Sequence, residues 1–280
     1  MQAEVRRLEL SSNALRNLDP HPRYVFALVG HIFNELMLLQ KWVHISRMPP
    51  GNPGPQEDAA VGVTMFLIRL LSSKVYEALN ALSKKKVADV LRSDYFGAVD
   101  GLNEQWEAVL AQFKKLEWLG WIRNKAGFHY MNANQWAPGL ADNMCDGAYV
   151  YVGRRYGDTY FHWAEMTAAL PAMKHVNSAD PFQGLEQMVS ELGHLLEGIT
   201  DCLARGLQAF LKKSGVGDKL SKPIRFEAPP FEPLALHFFF ADERLGELRQ
   251  PARNWTKMVT ALRRCCVARK YRFRSGSDFR

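Results

Sequence analysis

The residue types most suited to catalysis lie in the segment from Arg123 to Tyr130, directly after an apolar helical pattern. Within seven residues it brings together a fixed cation, Arg123, a carboxamide, Asn124, a second cation, Lys125, and an imidazole, His129. An arginine can hold a phosphate through two parallel hydrogen bonds, and a histidine can transfer a proton near neutral pH. These are the groups needed to cleave a phosphodiester without a metal ion.

Spacing alone does not single out this pair. The chain contains two further arginines that are followed closely by a histidine, Arg16 with His21 and Arg155 with His162. A proline interrupts the first of these before any bundle begins, and the second lies across a predicted hairpin turn. Only Arg123 and His129 lie between predicted core helices, so we take this pair as the candidate site.

The surrounding periodicity predicts a mainly α-helical protein. Apolar residues recur every three or four positions, which predicts helices over residues 3–17, 23–46, 57–83, 99–119, 164–174 and 181–213. Alternating β-branched and aromatic residues about a glycine-containing turn predict a small β-hairpin insertion at about 146–163. The expected architecture is a helical bundle domain over residues 1–215, followed by a proline-containing linker and a basic C-terminal extension over residues 216–280.

An arginine, a polar residue and a histidine in this arrangement resemble the HEPN superfamily of small helical bundles. Arg123, Asn124 and His129 fit its pattern with five residues between arginine and histidine, and the resemblance covers roughly residues 20–213. It implies RNA cleavage without a metal or other cofactor, usually at a dimer interface, and a toxin or defence role with a possible antitoxin partner. Arg123 would then neutralise the phosphate, and His129 would act as general base or acid. Asn124 would hold the phosphate or orient His129, and Lys125 would add RNA affinity.

The spacing of the pair raises a geometric difficulty. Residues six apart on a regular helix point about 120° away from each other, so Arg123 and His129 cannot share one face of a straight helix. Either Gly127 loosens the turn, or two copies of the chain meet so that one arginine faces the other histidine, which predicts a homodimer. A structural alternative is that the two residues cap a helix and pair with Glu117 or Glu35. The segment's aromatic residues are expected to pack rather than react: Trp121, Phe128 and Tyr130.

The net charge of +7 lies almost entirely in the last 34 residues. Residues 247–280 contain ten Lys or Arg against two acids, whereas the rest contains 26 against 27. Cations neutralise phosphates and aromatic faces stack bases, so we expect single-stranded RNA to bind the cations that alternate with aromatic residues here: Arg269, Lys270, Arg272 and Arg274. A solvated tail that docks on the chain's own acidic groups is the alternative.

Other features set the expected class of protein. The charged N-terminal residues do not resemble a secretory signal, no membrane span is expected, and the four cysteines form no CxxC pair, so we expect a cytoplasmic protein. Two pairs have the spacing of helical metal ligands, His31 with Glu35 and Glu191 with His194, but a di-metal bundle needs more carboxylates. The alternative to a nuclease is a non-catalytic dimerisation module that binds RNA or a protein.

Overall fold

The computed structural model describes residues 2–46, 54–143, 149–152, 159–220 and 222–227. This part of the protein is mainly helical, with helices α1 (Ser12–Asn17), α2 (Pro20–Ile45), α3 (Pro55–Leu82), α4 (Lys85–Val90), α5 (Leu102–Lys115), α6 (Glu117–Ile122), α7 (Ala133–Asn143), α8 (His162–Val176) and α9 (Pro181–Ser214). Two π-helical turns cover Leu91–Phe96 and Arg123–Gly127. Four short strands are β1 (Gln2–Val5), β2 (Leu8–Leu10), β3 (Gly217–Leu220) and β4 (Ile224–Glu227).

The prediction of a first helix from residue 3 is wrong for its first half. Residues 2–10 form β1 and β2, and the helix begins only at Ser12, where the Ser11 hydroxyl accepts a hydrogen bond from the backbone N–H of Ala14. β1 pairs antiparallel with β4, and β2 with β3. Their partners lie more than 200 residues away, in the stretch predicted to be a linker, so local periodicity gives no sign of the pairing.

The long amphipathic helices are confirmed, with ends that differ by a few residues. The predicted helices over 23–46, 57–83, 164–174 and 181–213 correspond to α2, α3, α8 and α9. The helix predicted over 99–119 instead begins at Leu102, because Gly101 takes a left-handed conformation with φ of 73°, and it breaks at Leu116 before α6. Sequence analysis predicted neither α4 with its π-helical turn nor α7.

The predicted hairpin is present as paired backbone where its arms are described. The backbone N–H of Tyr151 donates to the carbonyl of Tyr160 at 2.9 Å, and that of Tyr160 donates back at 2.8 Å. This reciprocal pair is the pattern of an antiparallel bridge. The predicted turn, with Arg154 and Arg155, lies outside the described residues. The second arm is shorter than predicted, because α8 already begins at His162.

The described residues divide into two compact units. The first comprises the described parts of residues 1–40, 74–117 and 193–231. Aromatic rings fill its core: Tyr95 stacks on Phe210 with centroids 4.5 Å apart, and Phe96 packs on Trp106 at 5.3 Å. The π-helical turn carries Leu91, Tyr95 and Phe96, all buried. Its wider i→i+5 spacing lets three large side chains of one short turn enter the same core.

The second unit comprises the described parts of residues 41–73 and 118–192. Its apolar core brings together α3, α8 and the start of α9 through six buried residues, Val61, Met65, Met166, Ala169, Met173 and Leu185. α7 approaches α8 closely, because a Cβ at Gly139 would lie 2.3 Å from the carbonyl oxygen of Thr167. Both the hairpin arms and the Arg123 to Tyr130 segment belong to this unit.

Helix α3 is long and apolar enough to cross a membrane by length and composition, from Glu57 to Leu82. However, 61% of its most apolar window is buried inside the protein. The helix also carries buried polar side chains, including Asp58 and Thr64, and the Thr64 hydroxyl bonds to Ser46 and to the carbonyl of Ala60. These contacts are typical of a helix packed in a protein core.

Two glycines of α9 allow a matched test of the first unit's packing. A Cβ at Gly206 would lie 2.8 Å from Cε1 of the buried Phe96 ring, whereas a Cβ at Gly193 meets nothing within 4 Å. We expect Gly206→Ala to lower the free energy of unfolding by about 1–3 kcal/mol through overpacking. Gly193→Ala should raise it by about 0.5–1 kcal/mol, because alanine favours the helix. Urea denaturation followed by circular dichroism measures both, and equal effects would contradict this packing.

Candidate functional site

Helix α6 positions the candidate segment through its buried face. Trp118, Leu119 and Ile122 are 5% exposed or less. The indole N–H of Trp118 also donates to Glu191 Oε2 at 2.7 Å, and the amide of Gln187 donates to Glu191 Oε1 at 2.9 Å. Oε2 of Glu191, a candidate metal ligand by spacing, therefore secures α6 to α9, and the hydrogen bond from Gln187 holds the same carboxylate from within α9. The residue that follows this buried face is Arg123.

The helix widens at that point into a π-helical turn, Arg123–Gly127. Gly127 lies against α3 so closely that a Cβ there would be 1.8 Å from Ser73 Oγ and 3.0 Å from Ser73 Cβ. Ser73 is fully buried, and its hydroxyl donates to the carbonyl of Arg69 at 2.8 Å. Only glycine fits here without movement of a neighbour, so contact with α3 fixes the end of the turn.

The polar residues of the segment lie at the surface. Arg123 and Lys125 are half-buried, and Asn124 and His129 are exposed. The guanidinium of Arg123 donates through Nη1 to Asn124 Oδ1 at 2.8 Å. The carboxamide oxygen thus holds the cation that is expected to bind phosphate, and the predicted role of Asn124 toward phosphate or His129 stays a prediction.

The structure bears directly on the geometric difficulty of the pair. The backbone from Arg123 to Gly127 is π-helical, and Phe128 and His129 lie beyond the end of the turn. The 120° separation of a regular helix therefore does not apply to Arg123 and His129. Gly127 thus ends a loosened turn, as one of the two expected solutions requires, and the pairing of two copies stays a prediction. A second copy is no longer required by helix geometry alone.

The aromatic residues of the segment divide into two kinds. Trp121 packs: its ring stacks on His175 of α8 with centroids 5.2 Å apart. Phe128 is 46% exposed and Tyr130 is fully exposed. The expectation that all three pack is therefore wrong for Phe128 and Tyr130. His175 was not among the residues found from sequence, because it follows Trp121 by 54 positions and no spacing rule connects them.

The sequence of the segment and its flanks is basic. From Trp118 to Ala141 the chain contains no Asp or Glu, and it contains Arg123 and Lys125. Of the acids proposed as structural partners, Glu117 is exposed, and Glu35 accepts a hydrogen bond from Lys74 at 2.9 Å and approaches His31 at 3.7 Å. Glu35 therefore interacts with Lys74 and His31, which both belong to the first unit.

A buried polar cluster joins the hairpin to α3, and sequence analysis did not find it. Asp58, in the first turn of α3, is 4% exposed. It accepts hydrogen bonds from the hydroxyl of Tyr149 and, at 2.6 Å, from that of Tyr151. Nε2 of His162 lies 4.0 Å from its other oxygen, and the imidazole stacks on Tyr149 at 4.9 Å. We call these four residues the Asp58 cluster.

The Asp58 cluster favours neutral phenols. Burial, followed by the hydrogen bond to Asp58, raises the pKa of Tyr149 well above its usual value of 10.0. Burial likewise raises the pKa of Tyr160, with the charge of Glu165 adding to the effect. Because these folded-state pKa values exceed those of the unfolded chain, the stability they contribute is complete below about pH 10 and is lost as the pH rises further.

Among the described residues, no three or more His, Cys, Asp or Glu converge as a possible metal site. The tail cations that are predicted to bind RNA lie outside the described residues: Arg269, Lys270, Arg272 and Arg274.

No protein-family model, curated protein or solved structure matches this chain.

The contact between Gly127 and Ser73 predicts a coupled pair of substitutions. Gly127→Ala should lower the free energy of unfolding by about 1–3 kcal/mol, because a buried methyl group collides with Ser73. Ser73→Gly removes both colliding atoms, so the double variant should lose less than the sum of the single variants, with a coupling energy of about 1 kcal/mol or more. Urea denaturation of the four proteins measures the cycle. Additive effects would mean that the two residues are not in contact.

The Asp58 cluster predicts a second loss of stability. Asp58→Ala leaves two phenol hydroxyls without their carboxylate acceptor and should lower the free energy of unfolding by about 2–4 kcal/mol. Asp58→Asn keeps one carbonyl acceptor and should cost less, and Tyr151→Phe should cost about 1 kcal/mol.

Chemical denaturation at neutral pH compares these variants with Asp89→Ala, which removes an exposed carboxylate paired only with Lys85 on the same helix. An Asp58→Ala loss no larger than the Asp89→Ala loss would show that the cluster does not hold the hairpin to α3.

Proposed function

We propose that this chain is a metal-independent endoribonuclease of the HEPN type. One observation supports it most: Arg123 reaches the surface on a turn held by the buried face of α6 and by Gly127, and the exposed His129 follows two residues after this glycine. Preorganised cations and proton-transfer groups act efficiently when the scaffold, rather than the substrate, holds them in place. The acid-free sequence around the segment suits a polyanionic substrate.

The proposed reaction uses the RNA's own 2′-hydroxyl as nucleophile. His129 takes the 2′-hydroxyl proton, the 2′-oxygen attacks the adjacent phosphorus, and the bond from phosphorus to the 5′-oxygen breaks. The leaving 5′-oxygen takes up the proton that His129 removed, giving a 2′,3′-cyclic phosphate and a free 5′-hydroxyl. Arg123 neutralises the phosphate oxygens as charge builds in the transition state. Asn124 holds the Arg123 guanidinium, as its hydrogen bond at 2.8 Å suggests, and Lys125 adds affinity for the backbone.

The HEPN resemblance also carries the proposals about partners and setting. We infer a cytoplasmic homodimer, with RNA as substrate and a possible antitoxin partner, acting as a toxin or in defence or stress. The basic tail would add RNA affinity through electrostatic contacts. Since the π-helical turn removes the geometric need for opposed copies, the homodimer rests on the resemblance alone.

The nuclease proposal predicts loss of cleavage with the fold intact. His129→Ala should slow cleavage of single-stranded RNA by about 10²- to 10⁴-fold, because general acid–base catalysis is lost. Arg123→Ala should slow it by about 10²- to 10³-fold, the range for loss of one charge-stabilising donor. Arg123→Lys should restore only part, since lysine keeps the charge without the paired geometry. Purified proteins are assayed with end-labelled RNA in the presence of a chelator.

His194→Ala is the matched control, because His194 is likewise exposed but lies on α9 in the first unit. Its activity should equal that of the wild type. If RNA decay continues unchanged in both His129→Ala and Arg123→Ala, the nuclease proposal fails. If the wild type binds RNA without cutting it, the chain is the non-catalytic module instead.

Mixing the two inactive variants tests whether the site is shared between copies. With twofold pairing and Arg123 opposite the partner's histidine, an equal mixture of Arg123→Ala and His129→Ala should recover about a quarter of wild-type activity, because half the dimers are mixed and each holds one intact site. No recovery after subunit exchange would place both groups of each site on one chain.

A further inference from the structure

We propose that Phe128 and Tyr130 form a stacking platform for unpaired RNA bases on either side of His129. The proposal takes its substrate from the proposed function and adds how that substrate is positioned. It starts from exposure: Tyr130 is 100% exposed and Phe128 46% exposed. Large aromatic side chains normally gain stability by burial, so two exposed rings that flank a candidate catalytic residue indicate a binding surface.

The charge of the segment favours nucleic acid as the occupant of this platform. Arg123 and Lys125 are its cations, and no carboxylate occurs between Trp118 and Ala141. Cations beside exposed aromatic rings are the combination that binds single strands, in which phosphates are neutralised and bases stack on rings. The basic sequence of this segment suits a polyanion better than a basic partner protein. A strand of RNA satisfies both the rings and the cations.

Distance sets how the bases are arranged. Residues 128 and 130 are two positions apart, so their Cα atoms lie at most about 7 Å from each other. That is about twice the 3.4 Å rise per nucleotide of a stacked strand. At this span the two rings can accept bases that flank one nucleotide. His129 lies between the two aromatic residues in the chain, so the proposal places the bracketed nucleotide next to this segment.

The exposed aromatic rings favour unpaired RNA as the substrate. In a double helix the bases are stacked on each other and their faces are closed to protein, whereas loops and single strands present splayed bases to aromatic side chains. Tyr130 and Phe128 are therefore positioning residues that select unpaired segments. Stacking is tolerant of base identity, so the platform confers a preference for structure over sequence.

A binding experiment that needs no cleavage tests this directly. The probe is a 2′-O-methylated oligouridylate, in which the nucleophilic hydroxyl is blocked, and its counterpart is an abasic strand of equal length. For the full chain, Tyr130→Ala should weaken binding of the oligouridylate by about 5- to 100-fold, the range of one lost stacking contact. Tyr130→Phe and Tyr130→Trp should restore it. None of these substitutions should change binding of the abasic strand, because it has no base to stack.

Tyr24→Ala is the control, since Tyr24 is 53% exposed on α2 in the first unit, and it should bind both strands like the wild type. In cleavage of ordinary RNA, Tyr130→Ala should raise KM with little change in kcat, unlike His129→Ala. The platform is ruled out if Tyr130→Ala binds the oligouridylate like the wild type. An equal loss on the abasic strand also rules it out, as does a Tyr130→Ala change in solution mass, which would place Tyr130 in a protein interface.

The outcomes separate this inference from the nuclease proposal. Tyr130-dependent binding by a wild type that does not cut RNA supports the platform and refutes the nuclease. Cleavage that needs His129, combined with unchanged binding by Tyr130→Ala, supports the nuclease and refutes the platform.

Discussion

The close approach of Gly127 to Ser73 is the constraint on which the candidate site depends. A Cβ at Gly127 would collide with Ser73 and push the segment away from α3, because Ser73 is fully buried and hydrogen-bonded to Arg69. The contact fixes where the π-helical turn ends. It thereby decides that Phe128, His129 and the residues after them leave the helix and reach solvent. The residues after the turn therefore reach solvent because of this packing and not because of helix periodicity.

Helix α3 serves the second unit as a scaffold at two separate points. Near its start, Asp58 holds the hairpin through two tyrosine hydroxyls, and 15 residues later Ser73 receives Gly127. At 1.5 Å per residue these points lie roughly 22 Å apart along the helix. Burial of the Asp58 carboxylate costs solvation, and the phenol hydrogen bonds offset that cost only while the hairpin stays in place. The same helix therefore stabilises the insertion and the candidate site, and changes at either point act on one shared element.

Periodicity predicted what local sequence can encode and missed what depends on distant partners. The predicted ends of the amphipathic helices α2, α3, α8 and α9 lie within a few residues of the observed ends, because each helix buries a regular apolar stripe. The strands of residues 2–10 were taken for helix, since their pairing is with residues 217–227. In the site, the segment itself was identified from residue types. The roles of Asp58 and His175 were not, because each depends on contacts more than 50 positions away.

The π-helical turn changes what a spacing rule means for this chain. An interval of six residues was unfavourable only for a regular helix, and it appeared to demand a second copy. A wider turn that ends in a glycine places the later residues beyond the helix, so the interval no longer fixes an angle between Arg123 and His129. The same turn exposes Phe128 and Tyr130, which a continuous helix would have alternated between buried and solvated faces. The end of this turn places His129 outside the helix and exposes aromatic residues on both sides of it in the chain. The proposed cleavage site and the proposed RNA-binding surface therefore lie in one segment.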